Sequence, residues 1–237
     1  MKHVVPWRAV TLDAMGTLLH PHEAIGATYV RFLQQATRQR FSSDLSDRAA
    51  AHISHRFPEV FEQQAVRKPN FGRVTCRDDD DQRATAASWW SELIIDTLPA
   101  ELSREMSDEV AHQFTTELYA FYATGAAWRV FDDVRPTLDA LRDQQVPLGV
   151  ISNFDERLDV ILRDLALREY FEIVTTSWSH GEMKPHASIF TSTFAALLKR
   201  PKEKEDTFAS AGLYHDVLHV GDHQERDYQG ARAAAVE

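Results

Sequence analysis

The chain has 237 residues, 43% hydrophobic and 26% charged, the balance of an ordinary globular protein with room for one large domain or a core carrying an insertion. A net charge of −10 argues against nucleic acid as the main partner, and no apolar run approaches the ~20 residues of a membrane span. The single cysteine, Cys76, excludes an internal disulfide and fits a reducing, cytoplasmic setting, and the N-terminus has the pattern of neither a secretory signal nor a transit peptide.

Near the N-terminus, Ala9-Val10-Thr11-Leu12 reads as a short buried strand ending at Asp13, and Gly16-Thr17 opens the next segment. A helix-rich stretch follows from about Ile25 to Ala123. It contains "ATYVRFLQQATRQRF", "ASWWSELIIDTL" and "EMSDEVAHQFTTELYAFY", the last with Met106, Val110, Phe114, Leu118 and Phe121 at helical spacing. Between the first two lies a predicted loop, "KPNFGRVTCRDDDDQ". Its acidic run, Asp78 to Asp81, lacks the spaced ligands and glycine of a calcium loop and reads as a solvated segment. From Trp128 onward strands and helices alternate. "VPLGVISN" is a strand, "RLDVILRDLAL" a helix, "FEIVTTS" a strand and "ASIFTSTFAALLKR" a helix. "DVLHVGD" is again a strand and "DYQGARAAA" a helix. This alternation predicts an α/β protein with a parallel sheet whose chemistry sits at the C-terminal strand ends.

Four short segments fall at those ends: Asp13 with Gly16-Thr17, Ser152-Asn153, Lys184-Pro185, and Gly221-Asp222 with Asp227. Each alone is as well explained by a helix cap, a turn or a solvated lysine. In this order, and with "WRVFDDVRPTLDALRDQQVPLGVISNFDERL" and "KPNFG…SWW" around them, the chain resembles the haloacid dehalogenase superfamily of hydrolases over nearly its whole length.

The resemblance implies a Rossmann-like three-layer core, residues 1–20 and 126–237, interrupted by a helical cap domain, residues 21–125. It implies Asp13 as nucleophile and Lys184 as the cation that neutralises nucleophile and phosphate. Thr17, Ser152 and the amides near Asn153 would hold phosphate oxygens. A Mg²⁺ ion would be bound by the Asp13 carboxylate, the Met15 backbone carbonyl and Asp222, with Asp227 as a further ligand or support. The substrate would be a small phosphorylated molecule; nothing in the sequence sets the oligomeric state.

Three departures from the family pattern stand out. Phosphatases of the superfamily carry a second aspartate two residues after the nucleophile, to protonate the leaving group and later activate water; here that position is Met15. Its carbonyl can still serve as a ligand, so the loss falls on proton transfer, which contributes ~10²–10⁴-fold. His20 and His22 are candidates to replace it. "KPHASIF" stands where Lys-Pro-Asp-Pro is usual, which keeps the lysine. The family usually continues past "GARAAA" into another strand, whereas this sequence stops at Glu237, so either the sequence is truncated or the sheet lacks its last edge strand.

Three functions remain open. One is a Mg²⁺-dependent phosphatase of reduced efficiency. Another is a 2-haloacid dehalogenase, whose halide leaves without a proton and whose first motif also lacks the second aspartate. The third is a phosphate- or metal-binding protein without turnover. Asn70, Phe71, Trp89 and Trp90 either line the entrance to the site or pack the cap together.

Overall fold

The computed structural model describes residues 7–73, 86–104, 106–199, 214 and 216–235; Cys76 and the Asp78–Asp81 run lie outside them. In chain order the elements begin with β1 (Ala9–Leu12), β2 (Leu19–Pro21), α1 (Ile25–Thr37), α2 (Ser43–Arg67), α3 (Ala86–Asp96), α4 (Ala100–Ser103) and α5 (Asp108–Tyr122). They continue with β3 (Trp128–Val130), α6 (Val134–Asp143), β4 (Leu148–Ser152), α7 (Leu158–Asp164) and β5 (Ile173–Thr176). Last come α8 (Ser177–His180), α9 (Ala187–Leu198), β6 (Val217–Val220), a π-helical turn at Gln224–Gln229 and α10 (Gly230–Ala234).

Ala-Val-Thr-Leu at β1 is buried at every position, as suits a strand covered on both faces. β1 pairs in parallel with β4 on one side and β6 on the other, and β5 adds beyond β4, giving the order β5-β4-β1-β6. Chain progression reverses beside β1, so Asp13 emerges at a topological switch point, where open α/β sheets bind ligands. One face of this sheet is covered by α9, with α10 packed on α9; Ile151, Ile189, Phe190, Phe194 and Ala234 form the core there. The fold is thus α/β with a parallel sheet and flanking helices, as the alternation predicts.

By chain contacts, residues 1–20 and 129–237 form one unit and residues 21–128 a second. The second unit is helical. Its core gathers Tyr29, Leu33, Ile53, Phe114 and Leu118 from α1, α2 and α5, with Tyr29 edge-on to Phe114 at 6.2 Å. A second cluster joins Phe61, Phe71, Trp89 and Trp90, with Phe71 stacked on Trp90 and the Trp89 indole donating to the Lys68 carbonyl at 2.8 Å. Asn70, Phe71 and Trp89 are buried, so these side chains pack this unit's own interior.

Several boundaries differ from the periodicity. The helix read across Ala27–Phe41 stops at Thr37, because Arg38 turns left-handed (φ 56°). The helix read as Arg157–Leu167 spans only Leu158–Asp164; beyond it the Arg135 guanidinium donates to the Leu165 and Ala166 carbonyls and satisfies the helix end. α2 is a 25-residue helix that the apolar pattern does not isolate. Its buried positions are few, Pro58 lies inside it, and the Ser42 hydroxyl accepts from the Leu45 amide to fix its start. No helix among the described residues is long and apolar enough to cross a membrane.

Candidate active site

The turn after β1 is shaped around Asp13. The Asp13 amide donates to Val220 O at 2.8 Å, and the Ala14 carbonyl accepts from the Leu18 and Leu19 amides. Gly16 takes φ 79°, and a Cβ there would overlap the Asp222 carboxylate, so this close approach requires glycine. Gly221 obeys the same constraint: its missing side chain leaves the space that the Asp227 carboxylate fills. Met15, half-buried, carries no proton donor. Among the described residues the buried Thr17 hydroxyl oxygen has no hydrogen-bond partner, so it can meet a ligand.

Lys184 is the hub. Its ammonium donates to Asp13 Oδ1 at 2.7 Å, to Asp227 Oδ1 at 2.5 Å and to the Ile151 carbonyl at 2.9 Å, which uses all three N–H groups. Its side chain is 2% exposed, against 9% for Asp13 and 4% for Asp227. Asn153, just past β4, fastens the lysine's backbone: its Nδ2 donates to Lys184 O at 3.0 Å and its Oδ1 accepts from Lys184 N at 2.7 Å. Asn153 therefore orients Lys184 with its side chain. Ser152 lies buried at the end of β4 beside it, and the Phe154 amide is turned back onto Ser152 O.

Asp227 is held from three sides. Oδ1 accepts from Lys184 and from His219 Nε2 at 3.0 Å, and Oδ2 accepts from the His223 amide at 3.0 Å. Burial opposes ionisation of this carboxyl, but the His219 hydrogen bond, the Lys184 charge and the His223 amide outweigh it and hold its pKa well below the usual carboxylate range. For His219 burial dominates and pushes the imidazole pKa down, against the pull of Asp227, so the ring is neutral near pH 7.

Asp13, Asp222 and Asp227 each bring a carboxylate oxygen within 4.8 Å of the others. Asp227 is already engaged at both oxygens, whereas Asp222 is exposed and Asp13 has its second oxygen clear of Lys184. Three carboxylates face one ammonium, which leaves two negative charges uncompensated at neutral pH. Such a set, all hard oxygen donors, fits a small divalent cation such as Mg²⁺.

The sequence-predicted residues Asp13, Lys184, Asp222 and Asp227 thus come together, with Ser152 and Asn153 at the end of β4 and Thr17 in the turn between β1 and β2. His20 lies tilted against Phe131, ring centroids 4.7 Å apart, and His22 is exposed. Sequence reasoning missed three residues of this site: His219, Thr11, whose hydroxyl lies 2.9 Å from His219 Nδ1, and His223. The available signal was a histidine in the middle of an apolar strand. It also missed the buried pair Asp155–Arg157, a two-point carboxylate–guanidinium contact at 2.9 and 2.6 Å that braces the turn after Asn153.

Residues 7–235 match the family model of haloacid dehalogenase-like hydrolases. The human haloacid dehalogenase-like hydrolase domain-containing protein 3 is 30% identical over 236 residues, covering 100% of this chain and 82% of that protein. The magnesium-bound HAD-hydrolase YfnB from Bacillus subtilis superposes with a TM-score of 0.61 at 16% identity, covering 98% of this chain and 87% of that one. The L-2-haloacid dehalogenase from Xanthobacter autotrophicus gives a TM-score of 0.60, also at 16% identity, covering 97% and 75%. Likeness at that identity concerns the fold, so the choice of reaction rests on the site.

Proposed function

The chain belongs to the haloacid dehalogenase-like hydrolase family, and from that premise we propose that it is a Mg²⁺-dependent, phosphatase-type hydrolase of a small phosphorylated metabolite, using Asp13 as nucleophile. The observation that supports this reading best is the charge balance: Asp13, Asp222 and Asp227 share one ammonium, and the deficit calls for a divalent cation beside the nucleophile. A halide-displacing enzyme has no use for that deficit.

Asp13, Asp222 and the Met15 carbonyl would hold the ion, with Asp227 supporting from behind through Lys184 and the His223 amide. When bound, Mg²⁺ supplies charge neutralisation for the phosphoryl oxygens and the attacking carboxylate. The free Asp13 oxygen attacks phosphorus, the bond to the leaving oxygen breaks, and an aspartyl-phosphate forms. Lys184 keeps its ammonium on Asp13 throughout and offsets the growing negative charge. The Thr17 hydroxyl, Ser152 and the backbone at Asn153 hold the phosphoryl oxygens. Water then attacks phosphorus, breaks its bond to Asp13 and releases phosphate. With Met15 in place of the usual acid, the leaving oxygen departs unprotonated, so aryl and acyl phosphates react ahead of alkyl esters. The 21–128 unit acts as the substrate-selecting cap, and the setting is cytoplasmic.

The decisive assay uses p-nitrophenyl phosphate with Mg²⁺ and, separately, 2-chloropropionate without metal. Phosphate release abolished by EDTA and by Asp13→Asn is the expected result. Metal-independent halide release would establish the dehalogenase reaction instead, and silence in both assays with retained Mg²⁺ binding would mark a protein without turnover. Met15→Asp is expected to raise phosphatase turnover by about 10-fold or more, the lower end of what a positioned acid–base group contributes. No gain in a folded variant would sink the account of Met15.

A further inference from the structure

β6 reads Val217, Leu218, His219, Val220, and the histidine interrupts an otherwise apolar strand. Its side chain is 1% exposed, with the ring edge-on to Phe190 at 5.1 Å. A leucine or phenylalanine would fill that space without any cost of burying ring nitrogens.

Both nitrogens are used. The parallel register sets Thr11 of β1 opposite His219, and the Thr11 hydroxyl meets Nδ1 at 2.9 Å. Nε2 meets Asp227 Oδ1 at 3.0 Å. An ionised carboxylate only accepts hydrogen bonds, so Nε2 carries the proton. Nδ1 of the neutral ring is then the acceptor and the Thr11 hydroxyl donates to it, its alternative acceptor, Leu218 O, lying at 3.5 Å.

One chain of contacts therefore runs Thr11, His219, Asp227, Lys184, Asp13, across strands β1 and β6 and back to the nucleophile. Every link but the first acts on Asp227 Oδ1 or Lys184 Nζ. Asp227 presents Oδ1 to the Lys184 ammonium whose neighbouring N–H meets Asp13, and an Asp222 oxygen lies within 4.8 Å of both carboxylates. We propose that His219 is a positioning residue of the active site: it locks Asp227 in the rotamer that serves Lys184, and so keeps Asp227 behind the metal site while Asp13 and Asp222 face it. This rests on the hydrolytic reading of Asp13, and it adds Thr11 as the group that selects the histidine's tautomer.

The test combines spectroscopy, metal binding and kinetics on the full chain. In protein labelled with ¹⁵N-histidine, the His219 ring, assigned by its loss in His219→Gln, is expected to be protonated at Nε2 and bare at Nδ1; a proton on Nδ1 overturns the proposal. With p-nitrophenyl phosphate and Mg²⁺, His219→Leu is expected to lower kcat about 10-fold or more with KM within about twofold, as loss of an orienting partner does. His219→Gln, whose amide reaches as far as Nε2, is expected to restore kcat to within about threefold of the parent. A folded His219→Leu with parental kcat, or a His219→Gln no better than His219→Leu, overturns it. Should His219→Leu not fold, Thr11→Val, which removes only the hydroxyl, takes its place: a redistributed tautomer is expected, and an unchanged ring spectrum counts against the chain. If the parent protein releases no phosphate at all, the hydrolytic reading fails on its own. Calorimetric Mg²⁺ affinity then decides the present inference, with an expected loss of about 5-fold or more in His219→Leu, recovered in His219→Gln.

Discussion

Two lysines show how differently the same ion pair behaves in the two units. In the 21–128 unit, Lys68 sits at the end of α2 and contacts Glu92 of α3 at 2.6 Å, with the side chains 45% and 40% exposed. In the 1–20/129–237 unit, Lys184 contacts Asp13 and Asp227 at comparable distances but is 2% exposed. Contact length does not separate them; water does. Around Lys68 solvent screens the attraction and takes over when the pair opens, so the pair serves as surface trim. Lys184 itself is buried, so a lost partner is poorly replaced by solvent and every group becomes conditional on the others. The Glu92 carboxyl illustrates the milder case: its pKa is lowered, mainly by the Lys68 and Gln64 hydrogen bonds, yet it remains open to solvent.

That contrast can be broken most severely at Lys184. Lys184→Met keeps the volume and deletes the charge, leaving Asp13 and Asp227 buried against each other. In EDTA, urea unfolding is expected to show a loss of about 3–5 kcal/mol, and turnover is expected to vanish. A loss below 1 kcal/mol would mean that the buried cluster is no more coupled than the surface pair.

Acid provides the intermediate test. The Asp227 pKa is depressed in the folded state, so its contribution is fully present above the unfolded value of about 3.9 and is lost as pH falls toward the folded value. His219, also depressed, adds a loss that begins as pH drops below its unfolded value of about 6.5, because the unfolded chain then takes up a proton that the folded chain refuses. In metal-free buffer, unfolding midpoints should therefore decline from near neutrality and steepen below about pH 4. Asp227→Asn should start lower and flatten the acid limb; parallel curves for parent and variant would remove Asp227 from the account.

The smallest effect is expected at Lys68. Lys68→Ala should cost about 0.2–1 kcal/mol in low salt and close to nothing at high ionic strength. A larger, salt-insensitive loss would show that this pair too is buried in its energetics.

Much of the core site was legible because its residues are local punctuation: Asp13, Ser152-Asn153 and Gly221-Asp222 each end an apolar run, and Lys184-Pro185 marks the turn before α9. Their convergence followed from β-α-β alternation, since parallel strands bring their C-terminal ends to one edge. Thr11 and His219 were not legible. Threonine is at home in any strand, and one histidine among valines and leucines has no spacing partner until register places the two side by side. The role of Asn153 was only half visible, because its grip on the Lys184 backbone joins residues 31 positions apart. In the 21–128 unit α2 escaped because its buried stripe is sparse; the 3-residue strands β2 and β3, at the junctions of the two units, are too short for periodicity to register.

Gly16 and Gly221 have a consequence for how this site tolerates change. Neither performs chemistry, yet each is the mould into which a carboxylate is cast. A drifting lineage can trade Met15 for other side chains if, as proposed, that position offers a cation only its main-chain carbonyl. It cannot place even a methyl group at either glycine without expelling the acid behind it. Two positions with no side chain to lose thus bear directly on where the acids of the site can sit.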